Sequence, residues 1–206
     1  PDAIPYITNY YGESWGLCAS QSEINSLPND IYEIDICTDF KDGYLNWGEI
    51  FLKGNTDKEI IISTYLCHPN LANNELSGPV VSIYLAKALS ELQESGDLML
   101  PFSIRFLYVP ETIGTISFLN SKFFSKENVL GAIVLTCIGD GGVFHVKKSF
   151  YGTSFLDYYL TKTFGQIKYD CGGTTEILDF FPWGSDERQW NYPGLRIPSC
   201  SLSRTI

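Results

Sequence analysis

The stretch Glu59-Ile60-Ile61-Ile62-Ser63-Thr64-Tyr65-Leu66 runs directly into Cys67-His68-Pro69, and Asn73-Asn74-Glu75-Leu76-Ser77-Gly78 follows shortly after. The first segment is a nearly continuous apolar run, the pattern of a strand covered on both faces, as in a parallel sheet. From Gly78 to Ser95 the period changes. Val80, Tyr84 and Ala88, with Val81, Leu85, Leu89 and Leu92, recur at three- and four-residue steps and predict an amphipathic helix. Ser77 is expected to cap its start, and Pro79 is tolerated in its first turn. A buried strand, a polar loop and a helix in that order make one β-α unit.

The same alternation continues outward. Phe102–Val109 reads as a second buried strand, Thr112–Phe124 as a helix, Val129–Ile138 as a third strand and Thr153–Phe164 as a third helix. Short extended pieces are expected within 168–181 and 195–202. This order predicts an α/β fold, a mostly parallel sheet flanked by helices. Upstream, residues 1–30 have no sustained period. Ile31–Phe40 alternates, Lys41-Asp42-Gly43 turns and Tyr44–Lys53 returns, which predicts a β-hairpin. The expected organisation is therefore an irregular and hairpin region over 1–58, part of a small inserted β-domain, and an α/β domain over 59–206.

With 14 basic and 24 acidic residues the net charge is −10. Such a surface repels phosphate backbones, so neither nucleic acid nor an anionic membrane is an expected partner. The longest apolar runs are strand-length, too short for a bilayer. The six cysteines are scattered without a C-x-x-C pair; read as reduced thiols, they point to the cytoplasm.

In an open α/β sheet, ligands gather at the carboxyl ends of the strands. Those ends carry Cys67 and His68, then Asn74 and Glu75 at the helix start; Glu111 after the second strand; and Asp140 within Gly139–Gly142 after the third. An imidazole and several carboxylates on one sheet edge suit a divalent cation. A zinc hydrolase needs two or three ligands, an open position and a carboxylate to take a proton from water. His68, Asp140 and either Asn74 or Glu75 are candidate ligands, with Glu111 as base. The competing reading is structural: a hydrogen-bonded loop histidine, and carboxylates favoured by helix starts. A Cys67 nucleophile paired with His68 is not expected, because neighbouring residues on a strand point to opposite faces. His145 reads as structural. The aromatic residues Phe180, Phe181, Trp183, Trp190 and Tyr192 surround Ser185–Arg188 either as packing or as a stacking surface for substrate.

Ser63–Pro69 with Ala72–Gly78 resembles the first metal-site segment of M28-type zinc aminopeptidases, and more closely the aminopeptidase-like DUF4910 family, often found with surface-polysaccharide biosynthesis genes. The resemblance extends through Val109–Gly114, Thr136–Asp140 and Gly184–Gln189, and upstream to Ile4–Tyr6 and Trp15–Cys18. It implies His68 as a first metal ligand, Asn74 at the position of a metal-bridging carboxylate, Glu111 as general base and Asp140 as a later carboxylate ligand. It also implies that Ser185 and Asp186 line the substrate pocket, with Arg188 able to grip a carboxylate.

Two departures stand out. Asn74 is neutral and cannot bridge two cations, though the adjacent Glu75 can replace it, and Thr112 stands where two-metal members carry a second carboxylate. The family's final histidine ligand is expected beyond Ile206, and further sequence before Pro1. One zinc ion is therefore expected rather than two. Two functions follow: a zinc-dependent aminopeptidase-like hydrolase of a peptide, amide or amidated-sugar substrate, or a catalytically inactive relative that binds a carbohydrate precursor or protein partner in the same cleft.

Overall fold

Strand β2, Glu59–Tyr65, lies near the centre of a seven-stranded sheet in the order β1-β3-β2-β4-β7-β5-β6. The computed structural model describes residues 2–4, 12–68, 71–169, 173–181 and 184–204. The other strands are β1 (Gly48–Leu52), β3 (Ser103–Val109), β4 (Val129–Leu135), β5 (His145–Lys147), β6 (Glu176–Leu178) and β7 (Ser199–Ser203). β2 pairs in parallel with β3 and β4, β4 with β7, and β5 with β6, whereas β1–β3 and β5–β7 are antiparallel. The three buried strands expected from apolar runs are present, and the sheet is mixed with a parallel centre. Its core divides into two clusters, one around Phe106, Val146 and Leu202, the other around Ile61, Leu107, Phe118 and Trp190.

The chain separates after Gly43 into two units. In the first, helix α1 (Gln21–Ser26) starts with a reciprocal cap between Ser20 and Glu23. The hairpin expected over 31–53 does not form: residues 31–47 contain no strand, and Ile31, Ile34, Ile36 and Phe40 are exposed. The returning segment, β1, instead pairs with β3. Arg105 on β3 explains the choice of partner. Its guanidinium donates to Glu49 on β1 at 2.6 Å and to Glu59 on β2 at 3.0 Å, and lies over the Phe51 ring.

Helix α2, Ser77–Glu94, crosses the sheet on an unexpected face. Gly78, Pro79, Ser82 and Ala86 are buried, while Val80, Val81, Tyr84, Leu85 and Leu92 are exposed. The small face is required by proximity: a Cβ at Gly78 would sit 2.2 Å from the Thr64 hydroxyl oxygen and 2.7 Å from the Leu135 carbonyl. Nor does Ser77 cap α2. A π-helical turn, Ala72–Leu76, extends the helix backward, and the Ser77 hydroxyl donates to the Asn73 carbonyl while accepting the Ile138 N–H at 3.0 Å. Helix α3 (Ile113–Leu119) is shorter than the predicted 112–124. Helix α4 (Phe155–Phe164) begins at a cap in which Ser154 and Asp157 satisfy each other's backbone N–H groups, and α5 is the single turn Glu187–Trp190.

Candidate active site

The backbone leaves the sheet just after Tyr65. Leu66 N–H still reaches the Val109 carbonyl at 2.9 Å, after which Cys67 and His68 are out of the strand. The π-helical turn then brings Glu75 back over them. π-turns widen a helix locally and concentrate at functional sites; here the widening aims a carboxylate at the strand end. Glu75 is 3% exposed. One of its oxygens lies 2.5 Å from His68 Nδ1, and the other accepts the Cys67 N–H. Cys67 Sγ is 3.3 Å from His68 Nδ1 and 3.8 Å from Glu75 Oε1.

Cys67, His68 and Glu75 are the one group among the described residues whose donor atoms all fall close enough to share a cation, within 4.8 Å. Imidazole, thiolate and carboxylate are all zinc ligands, and a buried carboxylate calls for a positive partner, so the residues fit the ion. The set opens into a cavity of about 350 Å³ rimmed by Leu66, Leu71 and Leu76.

Glu111 approaches from the end of β3. Its own N–H points at Cys67 Sγ, 3.3 Å away. Glu111, Thr112 and Ile113 form a tight turn in which Ile113 N–H bonds the Glu111 carbonyl at 2.7 Å, with Thr112 at φ 64°, ψ −66°. This γ-turn geometry is costly for a β-branched residue and persists only where its surroundings hold it. Asp186 supplies that hold by accepting the Thr112 N–H at 2.6 Å. Burial raises the Glu111 carboxyl above the ordinary carboxylate range. Glu75 and Glu187 add to the rise, while Ser185 and His68 oppose it. Asp186, with no exposed surface, is pushed up to about 7, again mainly by burial.

The remaining predicted residues occupy other surroundings. Asn74 turns its amide to the Tyr65 hydroxyl at 2.8 Å and to Cys137 Sγ at 3.5 Å. Asp140 does not join the Cys67–His68–Glu75 group. One of its oxygens accepts from Asn73 Nδ2 at 2.9 Å and the other from Gly142 N–H at 2.7 Å. Ser185 is buried and lines a small cavity of about 70 Å³ with Lys147, Glu187, Ser201 and Ser203. Arg188 is exposed along a separate groove beside Ile116 and Tyr192. His145 pairs with Glu176 at 3.3 Å, and Trp190 belongs to the core. Pro69 and Trp183 lie outside the described residues.

Two participants escape the sequence reading. The alternation rule separates Cys67 from His68 only inside a strand, and both lie beyond its end. The buried Lys147–Glu187 ion pair, with Lys147 Nζ 4.2 Å from the Phe181 ring centre, joins β5 to α5 across 40 positions of chain, and no local pattern announces it.

The mixed sheet and its flanking helices have an aminopeptidase-like α/β fold. Solved structures of that class agree in fold: a zinc aminopeptidase from Bacillus subtilis superposes with a TM-score of 0.56 at 15% identity, over 75% of this chain and 39% of its own. More specifically, the chain belongs to the DUF4910 family, described as a domain of unknown function, whose sequence pattern matches residues 9–206. A Clostridium acetobutylicum protein, provisionally described as a polysaccharide biosynthesis protein with an aminopeptidase-like domain, is 39% identical over 99% of this chain. A crystal structure provisionally described as a peptidase from that organism aligns at 39% identity with a TM-score of 0.81, also over 99% of this chain. The chain spans about 45% of the first of these relatives and about 46% of the second. None of the described helices is long and apolar enough to cross a membrane.

Proposed function

We propose that the protein is a zinc-dependent, aminopeptidase-like hydrolase of a peptide or amide bond, acting at the carboxyl ends of β2 and β3. The observation that carries this reading is the convergence of His68 and Glu75 with Glu111, the two strand ends being tied by the Glu111 N–H on Cys67 Sγ. His68 and Glu75 would hold the ion. Bound there, zinc supplies Lewis-acid polarisation of the scissile carbonyl and lowers the pKa of water.

The protein's own residues handle the proton. Glu111 is half-buried, and its carboxyl is held above the ordinary carboxylate range, which suits a group that accepts a proton from water and passes it to the leaving amine. The γ-turn fixes its backbone, and Asp186 fixes the turn from inside. The buried Ser185 lowers the Glu111 carboxyl against the rise that burial imposes. The leucine rim offers an apolar surface to part of the substrate. With one imidazole and one buried carboxylate at its heart, and Asn74 in place of a bridging carboxylate, the site is proposed to take a single ion. The free thiols at Cys67, Cys137 and Cys200 support a cytoplasmic setting.

The description of the Clostridium relative as a polysaccharide biosynthesis protein supports amidated sugars as a substrate class to screen beside aminoacyl amides. The deciding experiment measures zinc per chain and amide hydrolysis in the wild type and in Glu111→Gln. Retained zinc with lost turnover is the expected result; wild-type turnover in the variant would remove Glu111 from its role.

A further inference from the structure

We infer that Cys67 is itself a ligand of the cation, which makes the centre a thiolate–imidazole–carboxylate site formed by Cys67, His68 and Glu75. The inference rests on the proposal that this site holds a metal ion, and it specifies what completes the ligand set.

Three observations carry it. The first is distance. Zinc–ligand bonds of about 2.0–2.3 Å place the donors of a tetrahedral site roughly 3.3–3.6 Å apart. Cys67 Sγ already stands 3.3 Å from His68 Nδ1 and 3.8 Å from Glu75 Oε1. The remaining pair, His68 Nδ1 and Glu75 Oε1, is hydrogen-bonded at 2.5 Å and would separate by about 0.8 Å or more to flank an ion. The second observation is the surroundings of the sulfur, which accepts the Glu111 N–H at 3.3 Å. Burial and the nearby Glu75 and Glu111 carboxylates favour the neutral thiol, so this amide contact orients the sulfur rather than ionising it. The Cys67 N–H meanwhile holds the second Glu75 oxygen, so the same residue supplies a ligand and orients another. The third is donor count and charge. Among the described residues, His68 and Glu75 supply two donors, one short of the three protein ligands of an open catalytic site, and Cys67 is the further donor within reach of both. Asp140 has both oxygens committed to Asn73 and Gly142, and Asn74 is turned to Tyr65 and Cys137. With Cys67 the set reaches three and its two negative charges balance one divalent ion, which leaves Glu111 outside the coordination shell.

As the sulfur–metal bond forms, the thiol S–H bond breaks and its proton leaves to solvent, so binding one ion displaces the Cys67 proton. No redox step is involved.

The test uses the intact protein reconstituted with Co(II), and separately with Zn(II). Expected results are an intense near-ultraviolet sulfur-to-cobalt charge-transfer band, lost in Cys67→Ser, and zinc affinity lowered about a hundredfold or more in that variant by chelator competition. Zinc should also protect Cys67, located by mass spectrometry, from alkylation. Cys67 is exposed, so the variant is expected to keep the wild-type circular dichroism. If that spectrum changes, the alkylation result on the wild type decides instead. Cobalt bound stoichiometrically without the band, or zinc affinity unchanged in Cys67→Ser, overturns the thiolate ligand but leaves the hydrolase proposal standing, provided His68→Ala loses the ion. No ion bound by the wild type overturns both.

Discussion

The ends of β2 and β4 begin with similar residues and finish in opposite states. After β2, the Glu75 carboxylate closes over an imidazole and a thiol and opens to a solvent-connected cavity. After β4, the Asp140 carboxylate is turned onto the Asn73 amide and the Gly142 N–H, while its backbone carbonyl receives the Arg204 guanidinium at 2.5 Å. One carboxylate shares its hydrogen bond with a histidine imidazole. The other satisfies local peptide and amide donors, as carboxylates in loops commonly do. Composition at a strand end therefore does not define a reactive centre; the direction in which the following turn sends the side chain does.

The largest effect is expected where the β2 and β3 ends meet. Glu111→Gln should lower kcat by about 10²- to 10⁴-fold while zinc stays bound, read by steady-state hydrolysis beside elemental analysis. Because burial raises the Glu111 carboxyl, its titration in the metal-free protein, followed by NMR, should lie above that of an ordinary carboxylate. A titration at or below the ordinary value would show that burial does not govern this group.

The contrast between the two carboxylates can be broken directly. Glu75→Gln should lower zinc affinity by about a hundredfold or more, whereas Asp140→Asn should change it by less than about tenfold, the scale of one supporting contact. Equal losses in the two variants, measured by competition with a chromophoric chelator, would mean that both strand ends hold the ion.

Asp186 extends the comparison to stability. Its pKa is about 7 in the folded protein and about 3.9 unfolded. The folded state therefore holds the extra proton between those values, and this contribution is fully present below about pH 4. It is lost as pH rises through about 7, at up to about 1.4 kcal/mol per pH unit. Asp186→Asn keeps an oxygen for the Thr112 N–H without a charge to bury. The stability advantage of wild type over variant should therefore shrink from pH 4 to pH 8 in urea denaturation. A constant difference would place the Asp186 titration elsewhere.

Much of the frame was legible because it depends on local patterns. The apolar runs at 59–66, 102–109 and 129–138 find β2, β3 and β4, and Ser154 with Asp157 caps α4 as the local sequence allows. Errors arise where a distant partner decides. Tyr44–Lys53 looks like the second arm of a hairpin, but Arg105 on another strand recruits Glu49, and the segment joins β3. The apolar stripe of α2 looks like its core face, but the closeness of Thr64 and Leu135 admits only the Gly78, Ser82 and Ala86 face. At the proposed site, position along the chain nominates His68, Glu75 and Glu111, with Asn74 and Asp140 beside them, but not how their side chains turn. The π-helical turn that aims Glu75, and the strand end that frees Cys67 from alternation, have no signature in residue spacing.

The smallest predicted effect lies on the β4 side and tests whether that end is only structural. Ser77 was expected to cap α2; instead its hydroxyl bridges the π-helical turn and the loop after β4, donating to the Asn73 carbonyl and accepting the Ile138 N–H. Ser77→Ala leaves the buried Ile138 N–H without its acceptor, at a cost of about 1–3 kcal/mol. Because Asn73 also holds Asp140 and the Gly139 N–H, the loosening should spread along the β4 loop, seen as faster amide exchange at Ile138 and Gly139. The Glu75 carboxylate is held from the other side by Cys67 and His68, so zinc affinity should stay within about threefold of wild type, less than the tenfold scale of one supporting contact. If Ser77→Ala weakens zinc binding as much as Glu75→Gln does, the two strand ends form one coupled centre, and the separation between a reactive end and a structural end fails.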